Sequence, residues 1–125
     1  MRILIVEDDE TRCAWFQEKF SDCDVDSTCD VGKAFEWLAQ FDYDVILLDH
    51  DLLEEHYFSV IEDDERTGYA VAAWLALHPD RQRTATIIVH SLNYAGAERM
   101  LEVLGEAGRE AVHVPFPYLQ SGLRF

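Results

Sequence analysis

A chain of 125 residues with 25 acids against 10 Lys and Arg, a formal net charge of −15, is long enough for one domain with its own core and too acidic for a general polyanion binder. No basic stripe marks a DNA or RNA surface: Arg81 and Arg83, the closest basic pair, fall in a predicted loop. A hydrophobic fraction of 49% argues against disorder, and no stretch approaches the ~18 apolar residues of a membrane span.

Ile3-Leu4-Ile5-Val6 is a short apolar run, predicted as a buried first strand. It turns acidic at Glu7, too early for the apolar region of a signal peptide, and this predicts a cytoplasmic protein. Cys13, Cys23 and Cys29 have no paired spacing and read as buried thiols of a reducing compartment. Asp9 is placed to cap a helix from about Glu10 to Phe20, with Cys13, Phe16, Gln17 and Phe20 on one face. Asp24 to Thr28 is a weaker strand. Asp30 caps a second helix with Val31, Ala34, Phe35 and Leu38 inward. After the turn Asp42-Tyr43-Asp44 comes Val45-Ile46-Leu47-Leu48, a strand apolar at every position and therefore buried on both faces. It ends in Asp49-His50-Asp51. A long acidic loop, Leu53 to Thr67, follows; it holds His56, Tyr57, Phe58, Val60 and Ile61 and is read as a solvated run, a lid or a docking segment. Gly68 opens a third helix with Val71, Trp74, Leu75 and His78 on one face, stopped at Pro79. Thr86 to His90 is a buried strand, Tyr94 to Glu106 a helix, and Ala111 to Val114 the last strand.

Strands alternating with helices imply right-handed crossovers and a doubly wound parallel sheet in a single domain, residues 1–125. In the flavodoxin-like order 2-1-3-4-5 the first and third strands are neighbours at the switch point, where ligands bind beyond the strand ends. Glu7, Asp8, Asp49 and Asp51 then converge. Packed carboxylates repel unless a cation compensates, and a hard ion such as Mg²⁺ takes oxygen ligands together with phosphate. Ser91, on the same lip, could bond a phosphoryl oxygen, although a Ser after a strand is ordinarily a turn residue. The predicted site is therefore a Mg²⁺–phosphate site.

These features resemble a response-regulator receiver (CheY-like) domain over nearly the whole chain. ILIVEDDE, from Ile3 to Glu10, resembles the receiver's opening strand and acid pair, with Glu7 and Asp8 in that place. Asp49 matches the phospho-accepting aspartate, Ser91 the hydroxyl residue, and the carbonyl of Asp51 the third metal ligand. LLDHDL, VHSLN and GAERM resemble a narrower group, the cyclic-phosphate-processing receiver domains, whose added polar residues His50, Asp51, His90 and Asn93 match. That resemblance implies chemistry on cyclic phosphate ends in RNA repair or nucleotide contexts. Two departures stand out: Val114 occupies the place of the receiver's lysine before Pro115, and Ala111 that of its switch aromatic. The fifth helix is expected to be missing or truncated, leaving apolar surface for the Pro115-to-Phe125 tail or a second subunit to cover.

Opening a 2′,3′-cyclic phosphate needs a nucleophile, an acid for the leaving alkoxide and charge neutralisation. Asp49 suits the first, Mg²⁺ on Glu7, Asp8, Asp49 and Asp51 the last, and histidine the proton transfers. His50 is the first candidate for proton transfer; its alternative is to point into the adjacent helix layer. His90 should face the opposite sheet surface from Ser91, so a positioning role competes with a catalytic one. His113 ends the fifth strand near the place of the absent lysine, and His78 sits structurally at a helix C-terminus. Asn93 could orient a phosphate or cap the helix after it. Three functions follow: a Mg²⁺-dependent cyclic phosphoesterase, a response regulator phosphorylated on Asp49 by a histidine kinase, or a degenerate receiver that binds a protein.

Overall fold

Five strands, β1 (Arg2–Val6), β2 (Asp24–Thr28), β3 (Val45–Leu48), β4 (Thr86–Val89) and β5 (Ala111–His113), pair in parallel in the order β2-β1-β3-β4-β5 in the computed structural model, which describes residues 1–52 and 66–122. The helices α1 (Glu10–Lys19), α2 (Val31–Gln40), α3 (Gly68–Leu77), α4 (Tyr94–Glu106) and α5 (Phe116–Gly122) alternate with them. Thr28, Val6, Leu48, Val89 and His113 stand level in register, so the strands end along one line. The doubly wound architecture and its strand order are those expected from the sequence.

Side chains alternate across a strand with period two, and this divides the core. Leu4, Val6, Ile46, Leu48, Ile87 and Val89 pack with Val31, Ala34 and Leu38 of α2, Val71, Ala72 and Leu75 of α3, and Ala97, Met100 and Leu104 of α4. Ile3, Ile5, Val45, Leu47 and Ile88 pack on the other face with Phe16 of α1 and with Phe20, Phe116 and Leu119. Each fully buried Leu, Ile or Phe contributes about 1.5–3 kcal/mol of transfer free energy, so both helix layers are held by burial rather than by helix propensity. Asp9 and Asp30 cap α1 and α2, accepting from the amides of Arg12 (2.9 Å) and Gly32 (3.0 Å).

Several local expectations are corrected. Gln17 is exposed, and the partly buried Trp15 joins the aromatic cluster of Phe16 and Phe116 instead. The thiols are not buried: Cys29 is exposed, and Cys13 and Cys23 are half-buried. β4 stops at Val89, one residue short of His90, and β5 stops at His113. The fifth helix is not missing: its seven residues bury Phe116 and Leu119 against the second cluster, so part of the tail packs on that face. Most of the acidic loop, including His56, Tyr57, Phe58, Val60 and Ile61, lies outside the described residues. No described helix is long and apolar enough to cross a membrane.

Candidate functional site

Glu7, Asp49 and His90 are the first residues beyond β1, β3 and β4. Their amides extend the ladders, with the Glu7 amide donating to the Thr28 carbonyl (3.0 Å), that of Asp49 to Val6 (3.0 Å) and that of His90 to Leu48 (2.9 Å). Strand alternation puts all three side chains on the face covered by α1, and all three are buried. They can each present a ligand atom within 4.8 Å of the others.

Glu7 is fully engaged. Its Oε1 accepts from His90 Nε2 (2.9 Å) and pairs with Arg12 Nε (2.8 Å). Its Oε2 accepts from the amides of Asp8 (3.0 Å) and Asp9 (3.2 Å) and from Arg12 Nη2 (3.2 Å). Burial pushes this carboxyl up, but the His90 bond and the Arg12 charge outweigh it and hold it down to about 2. Burial drives the His90 imidazole below its ordinary value, so the ring is neutral, with its proton on Nε2 facing Glu7. Its edge packs on Phe16 at 5.2 Å, and its Nδ1 is a buried atom without a hydrogen-bond partner among the described residues.

Asp49 is in the opposite position. Its Oδ1 accepts from the His50 amide (2.8 Å), and its Oδ2 lies 3.5 Å from Arg12 Nη2. Burial and then the neighbouring Glu7 charge push its carboxyl well above the ordinary range, with Arg12 and the Ser91 hydroxyl working against them. Asp8, half-buried, is pushed up by burial and then by Glu7, and its Oδ1 has no hydrogen-bond partner among the described residues. Two carboxyls that resist ionisation, one of them with an orphaned oxygen, are hard donors short of positive charge, and their chemistry fits a hard divalent cation. Asp8 and Asp49 have oxygens to offer such an ion; Glu7 has spent its own.

His50 turns to the other face. It is buried, its Nδ1 lies 2.9 Å from Asp51 Oδ1, and its ring meets α4 so closely that a Cβ on Gly96 would sit 2.6 Å from its Cδ2. The Asn93 amide nitrogen lies 3.4 Å from the same ring nitrogen. Asn93 caps α4, its Oδ1 accepting from the Gly96 amide (2.9 Å). Ser91 Oγ accepts from the Asn93 amide (3.0 Å), and the Ser91 carbonyl accepts from His113 Nε2 (2.8 Å). His78 bonds the Trp74 carbonyl (2.7 Å) and stacks on that ring, as a helix-end residue should.

These groups open on a cavity of about 190 Å³ lined by Arg12, Asp49, Asp51, Ser91, Leu92 and Asn93. Of the predicted site residues it brings together Asp49, Asp51, Ser91 and Asn93. Glu7, Asp8, His50 and His90 do not line it; the two histidines are each hydrogen-bonded to a carboxylate, Asp51 and Glu7. Arg12 is the residue the sequence reading missed. The signal was present, because Arg12, Phe16 and Phe20 follow at i, i+4 and i+8, which makes Arg12 the lip-side end of an inward stripe.

A family model described as the cyclic-phosphate processing receiver domain matches residues 3–106. No curated protein matches the chain significantly. Among solved structures, the chain is similar to a Burkholderia pseudomallei response regulator with a phosphorylated aspartic acid, calcium ion and citrate, at TM-score 0.64 and 15% identity over 98% of this chain and 66% of that one. It is also similar to the Thermotoga maritima response regulator TrrA in complex with Mg²⁺-BeF, at 0.65 and 17% over 96% and 93%. A third likeness is to the signal receiver domain of a Syntrophus aciditrophicus histidine kinase, at 0.63 and 24% over 96% and 84%. The chain therefore spans just under two thirds of the B. pseudomallei protein, and at these identities the three likenesses establish the receiver fold. With 3–106 matched by the family model and the fold that of receivers, the chain belongs to the cyclic-phosphate processing receiver domain family.

Proposed function

We propose that this domain binds Mg²⁺ through Asp8 and Asp49 and opens cyclic phosphates at Asp49. The observation that carries the reading is the Asp49 carboxyl, pushed up by burial and by Glu7 and facing a cavity with Arg12, Ser91 and Asn93; the orphaned Oδ1 of Asp8, on the neighbouring strand end, adds a second hard donor. A cavity of about 190 Å³ takes a phosphate group but not a nucleoside, so only the phosphate end of a substrate enters. When bound, the Mg²⁺ supplies the positive charge that ionises Asp49 and draws off charge from phosphoryl oxygens.

An ionised Asp49 oxygen attacks phosphorus, one ring P–O bond breaks, and the leaving alkoxide takes a proton. Asp51, which faces the cavity, delivers that proton, with His50 behind it at 2.9 Å as the reservoir. Water then cleaves the acyl phosphate, returning Asp49 and releasing a phosphomonoester. Ser91 Oγ and the α4 cap at Asn93 orient the phosphoryl oxygens. His90 is a positioning residue: it fixes Glu7, and Glu7 fixes Arg12. Screening 2′,3′-cyclic nucleotides at several Mg²⁺ concentrations tests the reading. Mg²⁺-dependent hydrolysis that is lost in Asp49→Asn is expected; full turnover in that variant overturns it.

A second reading has its own support. The B. pseudomallei neighbour carries a phosphorylated aspartic acid, and Asp49 sits at the end of β3 as the sole aspartate on its strand lip facing α1 among the described residues. In this reading Asp49 accepts a phosphoryl group from a kinase and holds it. Acetyl phosphate with Mg²⁺ should then add a single phosphoryl mass that persists, with no cyclic-nucleotide turnover.

A further inference from the structure

We infer that Arg12 is the phosphoryl-binding cation of this site, exchanging its contact with Asp49 for the phosphoryl oxygens while Glu7 keeps it anchored. The inference rests on the reading of Asp49 as the carboxylate that faces the phosphoryl group. It starts from electrostatics. The cavity wall carries Asp49 and Asp51, with Glu7 behind, and Arg12 is its one cationic residue among the described residues. A phosphate group entering such a wall is repelled unless a positive charge on the protein meets it.

The two carboxylates hold Arg12 unequally, and its Nη2 serves both. Glu7 holds it by an ion pair at Nε (2.8 Å) and a hydrogen bond from Nη2 (3.2 Å). The contact of Arg12 with Asp49 at 3.5 Å is at the outer limit of a hydrogen bond. The Glu7 end is fixed further by His90 and by the amides of Asp8 and Asp9. The Arg12 side chain is 18% exposed, against 0% for its Glu7 partner, so the guanidinium stands between the buried carboxylate and the open cavity. A planar guanidinium matches the oxygens of a phosphoryl group at two points, which a lysine ammonium does not. The backbone is suited to this placement, because Asp9 caps α1 through the Arg12 amide itself and fixes the first turn from which the side chain reaches.

The test uses beryllofluoride as phosphoryl probe with saturating Mg²⁺, its affinity read by ¹⁹F NMR, and Mg²⁺ affinity measured separately by calorimetry. Wild type should bind both. Arg12→Ala should bind beryllofluoride at least ~10-fold more weakly, the usual scale for one charge-assisted pair, while Mg²⁺ binds as well or better because one competing cation is gone. Arg12→Lys should recover part of the loss. Unchanged beryllofluoride affinity in Arg12→Ala overturns the inference. If Arg12→Ala does not fold, Arg12→Lys decides: several-fold weaker binding supports the two-point match, and wild-type affinity overturns it. A wild-type protein that binds neither Mg²⁺ nor beryllofluoride overturns the reading of the site itself, and the inference with it.

Discussion

Asp49 and Glu7 show how two carboxyls on adjacent strands can be driven apart by their surroundings. Glu7 has every oxygen satisfied by donors, so it is ionised and stabilising, whereas Asp49 has burial and a neighbouring negative charge against it. A group whose folded pKa is raised costs stability once the pH passes its unfolded value of 3.8, and the cost grows until the folded carboxyl also ionises. In EDTA, Asp49→Asn should therefore be more stable than wild type at pH 7 by about 1 kcal/mol, roughly 4 °C in a domain of this size. The gain should shrink as the pH falls toward 4 and vanish below 3.8, where the unfolded chain too becomes protonated at Asp49. A thermal-melt series from pH 4 to 8 measures it; an Asn variant less stable than wild type at neutral pH would show that Asp49 is not under electrostatic load. Glu7 runs the other way, its contribution being whole above 4.5 and lost as the pH falls toward 2. The two acids of one motif, Glu7 and Asp8, could not have been told apart by spacing. What separates them is that Arg12 and His90 arrive from other elements.

At the scale of elements, α4 is pressed against the site through a glycine. A Cβ on Gly96 would lie 2.6 Å from His50 Cδ2 and 2.7 Å from Cγ, while Gly105, in the same helix, has nothing within 4 Å of its built Cβ. Substituting Ala in a helix is favourable by about 0.8–1 kcal/mol where space allows. Gly105→Ala should thus stabilise by up to about 1 kcal/mol, and Gly96→Ala should destabilise by about 1–3 kcal/mol through displacement of His50. Urea melts of the pair compare them directly; a stabilising Gly96→Ala would mean that His50 is free to move aside. Gly68 is tighter still, a Cβ there falling on the Asp49 carbonyl oxygen, so the start of α3 is seated on the backbone just beyond β3. At the opposite end of the sheet, Arg109 donates to the carbonyls of Leu75, His78, Arg81 and Gln82 and ties the end of α3 to β5. Gln82 there holds a left-handed backbone (φ 55°), kept in place by its side-chain bonds to the Leu38 and Phe41 carbonyls. Neither contact could be expected from periodicity, because both satisfy backbone carbonyls that only the turn geometry exposes.

For the whole molecule the net charge of −15 dominates. Self-repulsion favours the expanded state and is screened over about 8 Å at 0.15 M salt. Raising NaCl at constant pH should raise the melting temperature, and Mg²⁺ at matched ionic strength should raise it further in wild type but much less in Asp49→Asn. Equal responses of the two proteins to Mg²⁺ would place the ion on the general acidic surface rather than at the site.

The sequence by itself determined the alternation of strands and helices and, given the order 2-1-3-4-5 expected of a receiver-like chain, the lip on which the site lies. Alternation with period two, the capping aspartates Asp9 and Asp30, and the all-apolar runs of β1 and β3 are local signals, and the fold satisfies them as written. It also determined that Glu7, Asp49 and Ser91 share one lip, and that His90 faces away from Ser91, since parity along a strand does not depend on distant packing. Only the tertiary structure decided which groups meet. His50 packs against Gly96 and bonds Asp51 away from the cavity, His90 is taken up by Glu7, and Arg12, whose spacing placed it on the inward stripe of α1 without naming a partner, supplies the positive charge. The reason is physical: periodicity tells which way a side chain points, but ion pairing and desolvation act over a few ångströms between residues as far apart in sequence as Glu7 and His90, and those distances exist only once the chain is folded.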